Sequence, residues 1–109
     1  MATTYKVLGQ VNPSATTPTT LYTVPSSTST VVSTITVANL GGSSATYRIS
    51  VRPAAASQTN AMYVAYDVTV GATDTTTLTL GITLATTDVI TVYASSATVA
   101  FNAYGSEIA

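Results

Sequence analysis

No apolar run in this chain lasts. Ser, Thr or Gly interrupts each within a few positions, and Val, Ile and Tyr recur between the breaks. The stretch TTLYTVPSSTSTVVSTITVAN, residues 19–39, holds Thr, Ser and Val in abundance and no charge at all. A membrane-spanning helix needs about 20 consecutive apolar residues, so none is expected despite a mean hydropathy of +0.40. The helix formers Lys, Glu, Gln and Leu are scarce, whereas Thr, Val, Ile and Tyr suit a pleated, half-buried surface. The chain therefore reads as all-β. Its 109 residues make one domain, 1–109, that buries roughly two thirds of the surface exposed by its unfolded form.

Strand candidates cover 3–8, 20–24, 30–39, 45–52, 61–70, 75–84, 88–94 and 98–104. Their spacing predicts a single antiparallel β-sandwich, jelly-roll or immunoglobulin-like, of about eight strands. Over 45–52, alternation puts Tyr47, Ile49 and Val51 on one face and Thr46, Arg48, Ser50 and Arg52 on the other. Residues 30–39 offer Val31, Ile35 and Val37 in one phase. Pairing Val37 with Tyr47 and Ile35 with Ile49 makes NLGGSSA a hairpin with a three- or five-residue turn around Gly41 and Gly42. Leu78, Leu80, Ile82 and Leu84 share one face of a continuous strand. The last hairpin is expected to turn at Ser95 and Ser96, with either Ile90 and Val92 or Val89 and Tyr93 pointing inward. Tyr47 and Tyr66 fall in phase with the core.

Pro13, Pro18, Pro25 and Pro53 end or flank these runs, where a missing N–H does least harm. Residues 9–19, GQVNPSATTPT, read as an extended N-terminal arm that crosses its own domain or reaches a neighbour, or as a plain surface linker. The longest connection, RPAAASQTNAM, holds either one helical turn after Pro53 or a bare loop. The opening MATTYKVLGQ lacks the charged region and apolar block of a signal peptide, so Sec export is not expected.

The chemistry available is narrow. There is no His, the commonest general acid or base near neutral pH, and no Cys for a disulfide or thiolate metal site. Asp67 and Asp74 flank TVGAT, but Asp at a turn ordinarily bonds nearby backbone rather than forming a glycosidase pair. Hydroxyls are plentiful, yet Lys6 is the only base on offer to activate one. Neither calcium-loop spacing nor a phosphate-binding glycine loop appears. No enzyme, metal or cofactor is expected. Three basic residues, Lys6, Arg48 and Arg52, make no basic stripe, so nucleic acid is not an expected partner, and neither is a membrane.

Charged residues form 6% of the chain, against about 25% in ordinary domains. A neutral surface can be buried against protein without the several kcal/mol that desolvating each ion costs. Five residues stand out as partner-binding candidates. Arg48 and Arg52 lie about 13 Å apart on one strand face, placed either to bind a partner's carboxylates or to remain solvated as edge guards. Tyr5, Tyr63 and Tyr104 are candidates for outward positions, where tyrosine favours interface pockets and also serves sugar stacking.

The segments MATTYKVLGQ, TTLYTVPSSTSTVVSTITVAN, YRISVRPA and LGITLATTDVITVYASSATVAFNAYGSEI together resemble small virion structural proteins of tailed double-stranded DNA phages, particularly those of cyanobacteria and other aquatic bacteria. The resemblance implies a late, non-enzymatic particle component located in the virion after assembly in the host cytoplasm. It is expected to be a capsid decoration or cement protein bound to the major capsid protein in many copies, as a homotrimer. A neck, tail or baseplate accessory protein contacting other virion proteins is the alternative, and a carbohydrate-binding module with tyrosine platforms is an alternative of another class.

Overall fold

The computed structural model describes residues 2–109. Nine strands form in chain order: β1 (Thr3–Val11), β2 (Thr19–Thr23), β3 (Ser29–Asn39), β4 (Ala45–Arg52), β5 (Tyr63–Val70), β6 (Thr75–Leu78), β7 (Ile82–Leu84), β8 (Val89–Ala94) and β9 (Val99–Ile108). Sheet I has the order β1-β9-β3-β6, with β7 also pairing β3, and sheet II has the order β2-β8-β4-β5. All pairings are antiparallel. When β6 and β7 are counted as two pieces of one strand, the orders 1-8-3-6 and 2-7-4-5 describe a jelly roll, a double-sheet Greek-key sandwich.

The chain crosses between sheets at nearly every connection, which corrects two expected hairpins. NLGGSSA does not pair β3 with β4. β3 is flanked by β9 and β6–β7, and β4 by β5 and β8, so the loop is an arch from one sheet to the other. Val37 and Tyr47 are both buried and point into the core from opposite sheets, rather than pairing side by side. The segment at Ser95 and Ser96 is likewise an arch from β8 to β9. Ser95 is tied back to β4, its N–H donating to the Thr46 carbonyl and its Oγ accepting from the Thr46 N–H, both at 2.9 Å.

Asn39 is what locks the first arch. Its side chain is 2% exposed at the end of β3. Nδ2 donates to the Ser43 carbonyl at 2.8 Å and to the Val70 carbonyl at 3.4 Å, while Oδ1 accepts from the Gly41 N–H at 3.0 Å and the Thr98 hydroxyl at 2.9 Å. One amide thus joins both arches to the end of β5, as a buried polar group must if it is to be satisfied. At the other end of β3, Thr30 bonds the Tyr22 hydroxyl at 2.8 Å, and that hydroxyl donates to Glu107, which also accepts from Lys6 Nζ at 3.2 Å.

Three bulges explain where simple alternation misleads. β3 shifts register against β9 between Val32 and Thr34. Thr30 and Val32 therefore face inward before the shift, Ile35 and Val37 face inward after it, and Val31 is not in their phase as expected. At this level the strand expected over 75–84 breaks at 79–81, where Gly81 has φ +61 and Leu80 is 42% exposed instead of joining Leu78, Ile82 and Leu84. Gly105 is required here because a Cβ would lie 2.0 Å from the Val31 carbonyl oxygen. In β5, shifts around Val64 and at Tyr66–Asp67 turn Tyr66 outward, 55% exposed, where the core had been expected. Tyr47 does enter the core, edge-on to Phe101 at 6.2 Å.

The open register of β8 resolves with Ile90 and Val92 fully buried between the sheets. β1 continues to Val11, and residues 12–18 then cross the sandwich's own end. Asn12 Nδ2 donates to the carbonyls of Ala97 and Val99, and the Thr16 N–H donates to the Ala94 carbonyl. After Pro53 the chain makes a tight turn and not a right-handed helical one: Ala54 and Ala55 have φ 51 and 55, and the Ala56 N–H donates to the Pro53 carbonyl at 3.0 Å.

Candidate interaction surfaces

The outer face of sheet II carries a cluster built around Arg48. On β4 this residue sits beside Tyr93 of β8. The β5 bulge sets two residues, Tyr66 and Asp67, opposite one on β4, and so brings both side chains to the guanidinium. Arg48 Cζ lies 4.2 Å from the Tyr66 ring centroid and 4.4 Å from that of Tyr93, a cation held between two π faces. Nε and Nη2 bond the two Asp67 oxygens at 2.6 and 3.3 Å. The Arg48 hydrogen bond holds the Asp67 carboxyl below the usual carboxylate range. Asp67 has φ 50, a left-handed conformation that Asp adopts more readily than most residues.

Arg52 is also engaged internally. Nε and Nη2 donate to the Ala56 and Ala55 carbonyls at 2.7 and 3.1 Å, and Nη1 donates to Thr91 Oγ1 at 3.2 Å, which closes the turn after Pro53. Between the two arginines runs a groove of about 150 Å³, with Pro18, Ser50, Gln58, Tyr63 and Tyr93 in its walls. Ser50 Oγ donates to Gln58 Oε1 at 2.6 Å. Tyr63, in its wall, meets Tyr66 edge-to-face at 4.8 Å, and with Asn60 the two rings line a second depression alongside.

Of the five residues singled out from sequence, Arg48, Arg52 and Tyr63 converge on this face. Tyr5 and Tyr104 lie apart from them on sheet I, around a shallow depression with Val31, Ser33 and Ser106. Tyr5 is 84% exposed. Sequence reasoning missed Tyr66, Tyr93, Asp67 and Gln58. The signal that would have found two of them is an Asp inside YVAYDVTV, because Asp in the middle of a strand marks a residue able to take the left-handed conformation of a bulge.

All seven charged side chains of the sequence have partners within the chain. Lys6 pairs with Glu107 and Arg48 with Asp67, and Arg52 holds the turn after Pro53. Asp74 accepts from the Thr75 N–H, while Asp88 accepts from the Ala85 and Ala54 N–H groups, each at 2.8 Å. The hydrogen bond from Tyr22 is the main cause that lowers the Glu107 carboxyl. Burial, reinforced by Glu107, pushes the Tyr22 hydroxyl up to about 12. Among the described residues no three His, Cys, Asp or Glu side chains gather to hold a metal ion. No family model, curated protein or solved structure matches this chain.

Proposed function

We propose that this protein is a non-enzymatic structural component of a tailed-phage virion, a capsid decoration protein bound in many copies to the major capsid protein. The observation that carries the reading is the internal pairing of every charged side chain. Apart from the partly exposed Lys6–Glu107 and Arg48–Asp67 pairs, the outer faces present hydroxyls, methyls and tyrosine rings, which pack against protein with little ionic desolvation cost. The jelly roll is a recurrent architecture of viral capsid domains, and of lectins as well. A fold alone does not assign a function, so the proposal rests on the sequence resemblance together with this surface. Weak contacts repeated over a shell gain strength through multivalency.

Co-sedimentation with purified particles tests the proposal. Saturable pelleting with many copies per shell is the expected result, and a soluble fraction unchanged by particles removes it. If the copies map to a neck, tail or baseplate site, the accessory role on the same virion replaces decoration.

A second reading is favoured by the groove beside Tyr63 and Tyr66, whose aromatic walls and the amide of Gln58 resemble a sugar platform. A glycan array decides it. Binding by the parent that is lost on Tyr63→Ala supports a carbohydrate-binding module, and a blank array discards that reading.

A further inference from the structure

Two sheets leave four edges, and three of them are blunted. β2 has five residues, with Pro18 preceding it and Pro25 two positions after it. β5 is bent by two register shifts. The β6–β7 edge is interrupted over 79–81. Short strands, prolines and bulges are the devices by which native sheets keep an edge from recruiting another strand. β1 has none of these over Thr3–Val7: its register against β9 is unbroken there, every one of these side chains is exposed, and no proline intervenes. Its one charge, Lys6, is drawn to Glu107 and does not guard the edge.

The ladder fixes which backbone groups are free. Ala2 and Ala109 exchange both of their hydrogen bonds, at 2.8 and 2.9 Å. Hydrogen-bonded and non-hydrogen-bonded pairs alternate along an antiparallel ladder. Thr4 and Lys6 therefore aim N–H and C=O at β9, and Thr3, Tyr5 and Val7 aim theirs away from the molecule.

We propose that β1 is an interface with a second copy of this chain, paired antiparallel about a twofold axis at Tyr5. Tyr5 then faces Tyr5 of the partner subunit, and Thr3 faces Val7 of the partner subunit. Each of these pairs exchanges two backbone hydrogen bonds, so every outward N–H and C=O of Thr3, Tyr5 and Val7 is satisfied and sheet I runs continuously through both subunits.

The occupant is a second copy because this outward set is complementary to itself under a twofold rotation, as an isologous contact requires. Lys6 falls opposite Thr4 of the partner subunit, so like charges do not meet directly. A net charge of −1 leaves little repulsion between copies. The blunted edges elsewhere confine growth to a closed dimer. The symmetry is twofold, in place of the homotrimer expected from the resemblance, and the inference stands independently of a virion role.

The chain has no cysteine, so one introduced at this edge reports directly. In a hydrogen-bonded pair the Tyr5 Cα atoms lie about 5.5 Å apart, within disulfide reach, whereas the two Lys6 positions lie about 8 Å apart on the diagonal, beyond the limit of about 7 Å. Under mild oxidation Tyr5→Cys is expected to form a covalent dimer about tenfold faster than Lys6→Cys, given that geometry. In sedimentation equilibrium the parent is expected at twice its 11.1 kDa chain mass. Tyr5→Pro is expected to be monomeric with an unchanged circular dichroism spectrum, since its missing N–H faces solvent on an edge strand. A parent that stays monomeric up to millimolar concentration overturns the inference. So does equal cross-linking at the two positions, or a Tyr5→Pro variant that still dimerises.

Discussion

Asn39→Ala is the substitution that bears most directly on how the two sheets are joined. The amide makes three well-formed hydrogen bonds, to Ser43, Gly41 and Thr98, and a longer one to Val70. Truncation removes these bonds and leaves their partners at a site where the amide was 2% exposed. At about 1 kcal/mol for each of the three good bonds, the loss is about 3 kcal/mol, and more if the Gly41 N–H finds no water. For a domain of this size that corresponds to a fall in melting temperature of about 12 °C. Urea unfolding followed by circular dichroism, with calorimetry alongside, measures it. The transition midpoint should fall while the slope stays constant, because the surface exposed on unfolding is unchanged. A loss below about 1 kcal/mol refutes the view of this residue as the lock of the arches, since a replaceable surface amide costs no more than that.

Other expectations follow from the same packing. Gly105→Ala would force β3 and β9 apart at the Val31 carbonyl, and Gly9→Ala would push β1 away from β2 at the Leu21 carbonyl. Each should cost at least about 3 kcal/mol in urea unfolding, whereas Gly42→Ala, whose added carbon meets nothing, should change little. Among the described residues the buried Tyr47 hydroxyl has no hydrogen bond of good geometry, although the Thr76 side chain lies near enough to act on it. Tyr47→Phe should therefore be neutral or stabilising by up to about 1 kcal/mol, as removal of an unsatisfied buried group allows, and a clear loss in calorimetry would reveal a partner. Tyr22, raised from 10.0 to about 12, contributes stability that is whole below pH 10 and lost as pH rises through 12. Two pH units amount to about 3 kcal/mol, and Tyr22→Phe should flatten that alkaline limb. Glu107, lowered from 4.5, acts in the opposite sense: its contribution is present above pH 4.5 and lost as acid protonates the folded form, so Glu107→Gln should flatten the acid limb.

Facing was more legible in the sequence than connectivity. Alternation over 45–52 placed Tyr47 and Ile49 inward and Arg48 and Arg52 outward, as the structure has them, because period-2 patterning reports burial directly. NLGGSSA marks a reversal of the chain, but hairpin and arch differ only in which strand comes to lie beside β3, and that choice is made by distant partners, β9 and β6. Bulges defeat phase arguments by design: one inserted residue near Ser33 moves the inward set from Val31 to Val32, and another at Tyr66–Asp67 carries Tyr66 out of the core. The Arg48 cluster was half visible. Arg48 announced itself as a rare charge, while its neighbours Tyr66, Asp67 and Tyr93 come from β5 and β8 and meet only after sheet II has formed.

Cryo-electron microscopy of purified particles that carry this chain tests whether a jelly roll whose charged side chains all have partners within the chain serves as passive packing material. Sandwich-shaped density repeated over the shell, with hydroxyl- and tyrosine-bearing faces in contact with capsid protein, is the expected result. A resolved particle that lacks such density at shell, neck, tail and baseplate alike contradicts it.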